Sequence, residues 1–301
     1  MPTLFSASPP LPTFTPGSLI DLSSKVYIIT SFTSRTLGLA KILYNLHATV
    51  YLGCPSSSRF ETAAEDLKQA CPDSKGHLKP LLFDAKDPER VTGAVKGFLE
   101  QEWRLDVLFL RIGTDDLLVH FALASLLLPL LHRTASRFCH PNPSIRVVWM
   151  APSSPSAPPC STSGLDTAVE VYLLANASST LSPPPSTTRQ DPHAHTLPNS
   201  NPSGVQHVCV AAEPEHSTLQ RAMLRLLPAM LQDEAEKAAC SLLYAGLGPD
   251  VRSGDWVVPW GRKGEVPEHV RTYLVGTTER GNVSASVYAR YEKEMKQMIA
   301  G

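Results

Sequence analysis

The sequence predicts an α/β fold: a single doubly wound domain whose mostly parallel sheet is covered by helices on both faces. Two observations support this. Short, almost continuous apolar runs rich in Val, Ile and Leu recur along the 301-residue chain, and helix-length segments separate them. Strands that are buried on both faces lack the alternation of a half-exposed sheet, and parallel neighbours need helical crossovers. The regular alternation therefore indicates one domain and not two.

Four predicted strands lie in the first half of the chain. They are KVYIIT (25–30), TVYLGC (49–54), HLKPLLFD (77–84) and LDVLFL (105–110). Helical patterns follow them in turn: LGLAKILYNL, a segment from about 59 to 70, DPERVTGAVKGFLEQE with Asp-Pro at its start, and FALASLLLPLLHRTAS. The last of these is too apolar to face solvent, so we expect it in the core.

The second half of the chain contains two further strands and a long helical stretch. SIRVVWMA (144–151) and GVQHVCVAA (204–212) are the strands. STLQRAMLRLLPAMLQDEAEKAACSLLYAGLG follows the second of them and is predicted to be helical, with a break near Pro228.

Proline marks the segments outside this alternation. The chain has 27 Pro, concentrated in residues 2–16 and 141–214. Because Pro fixes φ and removes a donor, we expect an extended N-terminal arm over residues 1–17. Residues 18–301 form the predicted domain, with Pro/Ser-rich loops at about 152–164 and 182–204.

Composition excludes several classes of function. A net charge of −1 and a pI near 6.8 do not show the excess of positive charge that is typical of proteins binding nucleic acid or an anionic membrane. Six Cys without a C-x-x-C pair are typical of reduced thiols, and no apolar run reaches about 18 residues, so a cytoplasmic protein is expected. His193 and His195 have no partners at metal-ligand spacing, so no metal site is predicted.

Several segments together resemble one family, the short-chain dehydrogenase/reductases, and most closely its fungal members of secondary metabolism. They are DLSSKVYIITS, LGLAKILYNLHATVYL, SSSRFETAAEDLK, LDVLF, LLLPLL, RVVWM, TLQR and YAGLGPDVRSGDWVVPWGR. The resemblance spans residues 18 to about 296. It implies a Rossmann-like fold, NADP(H) as cofactor, and a small-molecule substrate such as a polyketide or another biosynthetic intermediate. It also implies a homo-oligomer.

The resemblance locates a cofactor site in which few residues match. The family's T-G-x-x-x-G-x-G turn reads T-S-F-T-S-R-T-L-G from Thr30, and of its glycines only Gly38 remains. Arg35 either pairs with a phosphate or lies at the surface of a rebuilt turn. Asp84 matches the family's adenine-contacting Asp, and Gly113 is what remains of N-N-A-G. In the family, the backbone of this turn lies close to the cofactor's diphosphate. Because the turn here carries side chains at these positions, we expect the usual binding pose of the dinucleotide to be sterically hindered.

The family's catalytic residues are also replaced. The Ser position falls on Pro152, next to Ser153, and the Asn position falls on Asp116. Tyr-x-x-x-Lys aligns either with Tyr172 and Asn176 or with Gly164 and Ala168, and neither alignment restores the pair. Without a nearby cation, a Tyr keeps a pKa near 10, too high for an efficient base. Glu213 takes the Gly position after the sixth strand.

Three functions remain open from the sequence. The first is cofactor-independent acid/base chemistry by the candidate catalytic residues Tyr172, Asp116, Glu213 and Ser153. The second is an NADP(H)-dependent oxidoreductase acting on a small carbonyl or alcohol. The third is a non-catalytic pseudoenzyme or scaffold. His120, four residues after Asp116, either supports the acid/base chemistry or is a packing residue.

Overall fold

The computed structural model describes residues 11–84, 87, 89–113, 116–138, 145–152, 165–181, 204–211, 228–268, 270–271 and 283–300, with backbone only at 89, 181 and 228–236. Within them eight strands form one sheet in the order β3-β2-β1-β4-β5-β6-β7-β8. Their bounds are β1 (Val26–Ile29), β2 (Thr49–Cys54), β3 (His77–Leu82), β4 (Val107–Arg111), β5 (Arg146–Met150), β6 (Gln206–Val210), β7 (Trp256–Val258) and β8 (Arg262–Gly264).

The sheet is parallel except at its last strand. Strands β1 to β7 pair in parallel, whereas β8 runs antiparallel to β7 in a short hairpin with Trp256 opposite Gly264. The strand order reverses between β1 and β4, which is the switch point of a doubly wound sheet. The predicted fold class is confirmed.

Seven helices among the described residues cover both faces of the sheet. They are α1 (Ser34–Asn45), α2 (Ser57–Ala70), α3 (Glu89–Gln101), α4 (Leu117–Phe138), α5 (Thr167–Leu181), α6 (Pro228–Leu247) and α7 (Val283–Ala300). Helices α1, α2 and α6 pack on one face, through side chains such as Leu43 and Leu242. Helices α3, α4 and α5 pack on the other, and α7 lies across them. The core is therefore two apolar layers separated by the sheet.

The most apolar helix, α4, lies in one of these layers. By length and composition it could span a membrane, but 67% of its most apolar window is buried within the fold. This agrees with the expectation that its sequence belongs to the core, and it is the usual position of such a helix in a globular protein.

Some elements differ from the sequence prediction. The six predicted strands are present, but β7, β8 and α7 were not predicted from the sequence. In the predicted N-terminal arm, residues 1–10 lie outside the described part of the chain. Pro16–Ser18 forms a 3-10 turn, and Phe14 meets Tyr244 edge to face at 5.9 Å between ring centroids. The described part of the arm therefore packs on the sheet domain.

Candidate functional site

Parallel strands bring the loops that follow them to one edge of the sheet, here called the carboxyl edge. Ligands of doubly wound folds bind at this edge. Strands β1 and β4 are neighbours, so the turn from β1 to α1 lies beside the turn from β4 to α4. These two turns form the centre of the candidate site.

Helix α1 is capped by two threonines of its own first turn. The Oγ1 of Thr33 accepts a hydrogen bond from the amide of Thr36 at 3.2 Å, and the Oγ1 of Thr36 accepts one from the amide of Thr33 at 2.7 Å. The Thr36 hydroxyl also donates to the carbonyl oxygen of Ser31 at 2.6 Å. This capping box satisfies two amides that a helix N-terminus otherwise offers to an anion.

The ends of β1, β2 and β3 approach one another closely at Gly53. A Cβ atom there would lie 2.7 Å from the Phe83 ring and 2.8 Å from the Cα of Thr30, so a larger residue does not fit. The Phe83 ring in turn meets the imidazole of His120 edge to face, with centroids 6.2 Å apart. This packing brings Thr30 and His120 together below the carboxyl edge.

His120 is hydrogen-bonded on both sides of its ring. Its Nδ1 lies 2.8 Å from the main-chain oxygen of Asp116, and its Nε2 lies 3.2 Å from the Oγ1 of Thr30. A carbonyl oxygen can only accept, so Nδ1 carries a proton and donates to it; in the neutral imidazole, Nε2 accepts from the Thr30 hydroxyl. The same hydroxyl oxygen accepts from the amide of Arg111 at 3.0 Å. The ring is 1% exposed, so it ties α4 to β1 and does not itself meet a ligand.

The charged group at the centre of the site is the Asp116 carboxylate. Its Oδ1 accepts from the amide of Gly113 at 2.6 Å and lies 3.5 Å from the Nδ1 of His120, and the side chain is 21% exposed. Burial alone would raise the pKa of this carboxyl, but His120, the Gly113 amide and the nearby Arg111 together hold it below its usual value. Asp116 is therefore ionised at neutral pH and in contact with solvent.

Tyr172 lies apart from Asp116. Its hydroxyl donates to the carbonyl oxygen of Gly254 at 3.4 Å, and its ring packs edge to face on Trp256. The Gly254 amide bonds to the oxygen of His207, which places this contact near the amino end of β6, whereas Asp116 follows the carboxyl end of β4. Burial raises the pKa of Tyr172 further. The structure therefore does not bring Tyr172 together with Asp116, and the catalytic role suggested for Tyr172 stays a prediction.

The other predicted residues that the structure describes fall into three groups. Gly113 and Asp116 are in contact, as described above. Asp84 lies at the carboxyl edge beyond β3, where its main-chain oxygen accepts from the amide of Asp87 at 2.9 Å. Arg35 is half-buried in the first turn of α1, and Gly38 lies in the following turn.

Ser153 and Glu213 lie outside the described residues, so the roles suggested for them stay predictions. In the other alignment, Gly164 also lies outside them, and Ala168 packs on the core at the start of α5. Among the described residues, no three His, Cys, Asp or Glu side chains are grouped so that they could hold a metal ion.

Comparison with known proteins identifies the family. No protein-family model matches the chain. A short-chain dehydrogenase/reductase of Phomopsis amygdali is 31% identical, over 95% of this chain and 93% of that protein. The chain belongs to the short-chain dehydrogenase/reductase family. The short-chain dehydrogenase/reductase pkfC of Emericella nidulans is 27% identical, over 87% of this chain and 91% of its own.

Solved structures agree on the fold of this family member. A short chain oxidoreductase of Pseudomonas aeruginosa, bound to NADPH and described as containing an atypical catalytic center, has a TM-score of 0.55 at 14% identity, covering 83% of this chain and 100% of its own. The L-sorbose reductase of Gluconobacter frateurii, complexed with NADPH and L-sorbose, has a TM-score of 0.52 at 14% identity, covering 82% and 99%.

Membership of the family makes NADP(H) the cofactor to test against the site. Its diphosphate would need free amides and close approach at the turn before α1. Here the amides of Thr33 and Thr36 are bonded within the turn, and Ser31 carries a side chain where the family pattern T-G-x-x-x-G-x-G has its first glycine. The residues of this turn do not fit a dinucleotide in the family's usual pose.

Proposed function

We propose that this short-chain dehydrogenase/reductase carries out a cofactor-independent acid/base step on a small intermediate of a fungal secondary-metabolite pathway. The observation that carries the proposal is the ionised, partly exposed Asp116 carboxylate, which Gly113 and His120 hold beside an α1 turn capped by its own hydroxyls. The similar proteins from Phomopsis amygdali and Emericella nidulans support the assignment to a fungal pathway. The near-neutral net charge supports a small-molecule partner in the cytoplasm, without nucleic acid or membrane.

The proposed reaction begins with proton removal by Asp116. Its Oδ1 already accepts from Gly113, so Oδ2 is the atom that takes the proton from the substrate. Because the pKa of this carboxyl lies below its usual value, the carboxylate is a weak base and needs an activated carbon acid. A CH₂ group between two carbonyls, as in a polyketide, is such an acid.

The resulting enolate has two balanced outcomes, and neither needs an oxidant or a reductant. In an isomerisation, the enolate recovers the proton from Asp116 at another atom. In a cyclisation, the enolate carbon forms a bond to an internal carbonyl carbon, and the alkoxide produced takes the proton back from Asp116. His120 is a positioning residue in both, because its Nδ1 contacts Asp116 and its Nε2 is bonded to Thr30. Glu213 and Ser153 are proposed to supply further polar groups.

A second candidate is an NADP(H)-dependent oxidoreductase acting on a small carbonyl or alcohol. Two solved structures of similar fold contain NADPH and favour this candidate, and one of them is described as having an atypical catalytic center. Arg35, in the first turn of α1, would then pair with a phosphate, and Asp84 and Gly113 would meet the nucleotide. A third candidate is a non-catalytic scaffold of the same fold.

The experiment that tests the acid/base proposal is reconstitution of the pathway with an Asp116→Asn variant. This change keeps the shape of the side chain and removes the base, so product formation should fall by about 10² or more. Asp87→Asn is the matched control, because Asp87 is near the same edge and its carboxylate forms an ion pair with Arg90. An unchanged product profile with Asp116→Asn would refute the role of Asp116.

A further inference from the structure

Arg111 is the last residue of β4, and its backbone is fixed at the centre of the carboxyl edge. Its amide donates to the Oγ1 of Thr30 at 3.0 Å, and its partner in the sheet is Met150 of β5. Met150 and Phe109, which lies two positions before Arg111, both pack in the layer of α1 and α6. Because side chains two residues apart in a strand share a face, the Arg111 side chain lies on the side of α1. It is therefore placed at the switch point of the sheet, beside the turn that begins α1.

The Arg111 guanidinium is exposed to solvent at this position. Within the part of the chain that the structure describes, it forms no hydrogen bond or ion pair. Its charge nevertheless acts on the Asp116 carboxylate: with His120 and the Gly113 amide, it holds the pKa of that carboxyl below its usual value. The site thus combines an ionised carboxylate with an unpartnered cation in its electrostatic range.

Asp116 keeps its second carboxylate oxygen available. Its Oδ1 accepts from the Gly113 amide, whereas a Cβ atom at Gly113 would lie 3.1 Å from Oδ2. Because glycine has no side chain, Oδ2 stays uncovered on that side. A substrate whose CH₂ group lies at Oδ2 is therefore within the electrostatic range of Arg111.

An arginine in this position favours a substrate that is itself an anion. Proton removal from a CH₂ group beside a carboxylate places a second negative charge on the same molecule, and the Asp116 carboxylate repels the first. A guanidinium compensates both effects, because it stays charged and can donate to the two oxygens of a carboxylate at once. Without an anionic ligand, the positive charge of Arg111 only weakens Asp116 as a base.

We propose that Arg111 binds the carboxylate of the substrate and that the substrate is a β-keto carboxylate, whose CH₂ group lies between a ketone and the carboxylate. This inference rests on the proposed function, because it assigns the substrate class of the Asp116 site. The Oδ2 of Asp116 takes one proton from the CH₂ group, and the electron pair of that C–H bond forms the double bond of an enolate. The ketone and carboxylate oxygens share the charge, and Asp116 returns a proton in the following step.

The first test measures binding with two probes of the same size. Acetoacetate carries the carboxylate, and acetoacetamide has a neutral amide in its place. In titrations followed by NMR, the natural chain should bind acetoacetate at least about tenfold more tightly. Arg111→Gln should remove this preference, and Arg111→Lys should keep part of it, because Lys retains the charge without the planar fork. Equal affinities, no binding of acetoacetate, or a preference that survives in Arg111→Gln would overturn the proposal.

Two controls test the position and the kind of anion. Arg59, in the first turn of α2 beyond β2, is also exposed, so Arg59→Gln should change the preference for acetoacetate by about twofold or less. Inorganic phosphate should displace acetoacetate at least about tenfold less well than unlabelled acetoacetate does, because it has no keto group and Asp116 repels a dianion. Equal losses in Arg59→Gln and Arg111→Gln, or equal displacement by phosphate, would contradict a carboxylate site at Arg111.

The second test separates this inference from the proposed function. In heavy water, the loss of the CH₂ proton signal of each probe is followed by NMR, and the rate without protein is subtracted. Asp116→Asn should lower the exchange of both probes by about 10². Arg111→Gln should lower kcat/KM for acetoacetate at least about tenfold more than for acetoacetamide.

The outcomes for the two residues differ. Binding of acetoacetate that depends on Arg111, without exchange by the natural chain, would refute the acid/base function and support the carboxylate site. Exchange that requires Asp116, with Arg111→Gln affecting both probes equally, would support the function and overturn the substrate class.

Discussion

The Nε2 atom of His120 lies 3.2 Å from the Oγ1 of Thr30, so the first turn of α4 is bonded to the end of β1. The two residues are 90 positions apart in the chain. This bond fixes the imidazole whose other nitrogen contacts Asp116, and it uses the hydroxyl of a residue that begins the family's phosphate-binding turn. The polar groups at the switch point are therefore bonded to one another.

Thr30→Val tests this network through stability. Val keeps the shape of the side chain but leaves the Nε2 of His120 without a donor and the amide of Arg111 without an acceptor. We expect the free energy of unfolding in urea to fall by about 1 to 3 kcal/mol. Thr49→Val on β2 is the control and should change it by about 0.5 kcal/mol or less. Equal effects of the two changes would argue against the network.

The capping box of α1 gives a second prediction. Thr33→Ala removes the acceptor of the Thr36 amide and should lower the free energy of unfolding by about 1 kcal/mol. Ser56, at the N-cap of α2, makes no side-chain cap hydrogen bond, so Ser56→Ala should cost much less. Urea unfolding of both variants measures the difference. If Thr33→Ala proved neutral, the hydroxyls would not be needed to close the turn.

Arg146 should be among the most sensitive buried positions. It is 2% exposed, and its guanidinium donates to the side chain of Gln206 and to the main-chain oxygens of Ala245 and Gly248. Burial lowers its pKa to about 10, so it stays charged at neutral pH. Lys cannot reach three separated acceptors, so Arg146→Lys should cost about 2 to 4 kcal/mol. The exposed Arg252, changed to Lys, is the control, and comparable losses at both positions would contradict this assignment.

Two buried histidines predict acid sensitivity. Burial lowers the pKa of His207 from 6.5 to about 3, with a further lowering by His132, and burial also lowers the pKa of His132. The unfolded chain then binds more protons than the folded chain between about pH 6.5 and 3. The free energy of unfolding should therefore fall as pH decreases through this window, by up to about 1.4 kcal/mol per pH unit for His207, and His132 contributes in the same direction.

Urea unfolding at several pH values of the natural chain, of His207→Gln and of His77→Gln checks this. His207→Gln keeps an acceptor for the Nε1 of Trp149 and should flatten the pH dependence. His77 is exposed, so its replacement should leave the slope unchanged. A slope that is the same in all three proteins would show that His207 does not titrate as described.

The apolar runs of the sequence were sufficient to predict six strands, because a strand buried on both faces needs apolar residues at each position. They could not reveal β7 and β8, which have three residues each and lie around a turn with Trp260 at φ 68°. They also missed α7, whose helical state is stabilised by packing on α4 and α5 more than by a strong pattern of its own.

The candidate site was predictable from the sequence only in part. The i, i+4 spacing of Asp116 and His120 indicates a shared helix face, and the structure shows them in contact. The position of Tyr172 was not predictable, because it depends on how α5 packs against the amino end of β7, and neither alignment of the family's motif contains that information. The capping role of Thr33 and Thr36 has a weak signal in the spacing T-x-x-T, which resembles a capping box with Thr in the third helical position.

The measurement that tests the central claim most directly is a titration of the purified chain with NADPH and with NADH, followed by nicotinamide fluorescence. Since the amides and hydroxyls of Thr33 and Thr36 are bonded to one another within the α1 turn, we expect no saturable change up to about 1 mM nucleotide. Saturable binding in the micromolar range, with blue-shifted emission, would contradict the account and favour the NADP(H)-dependent oxidoreductase.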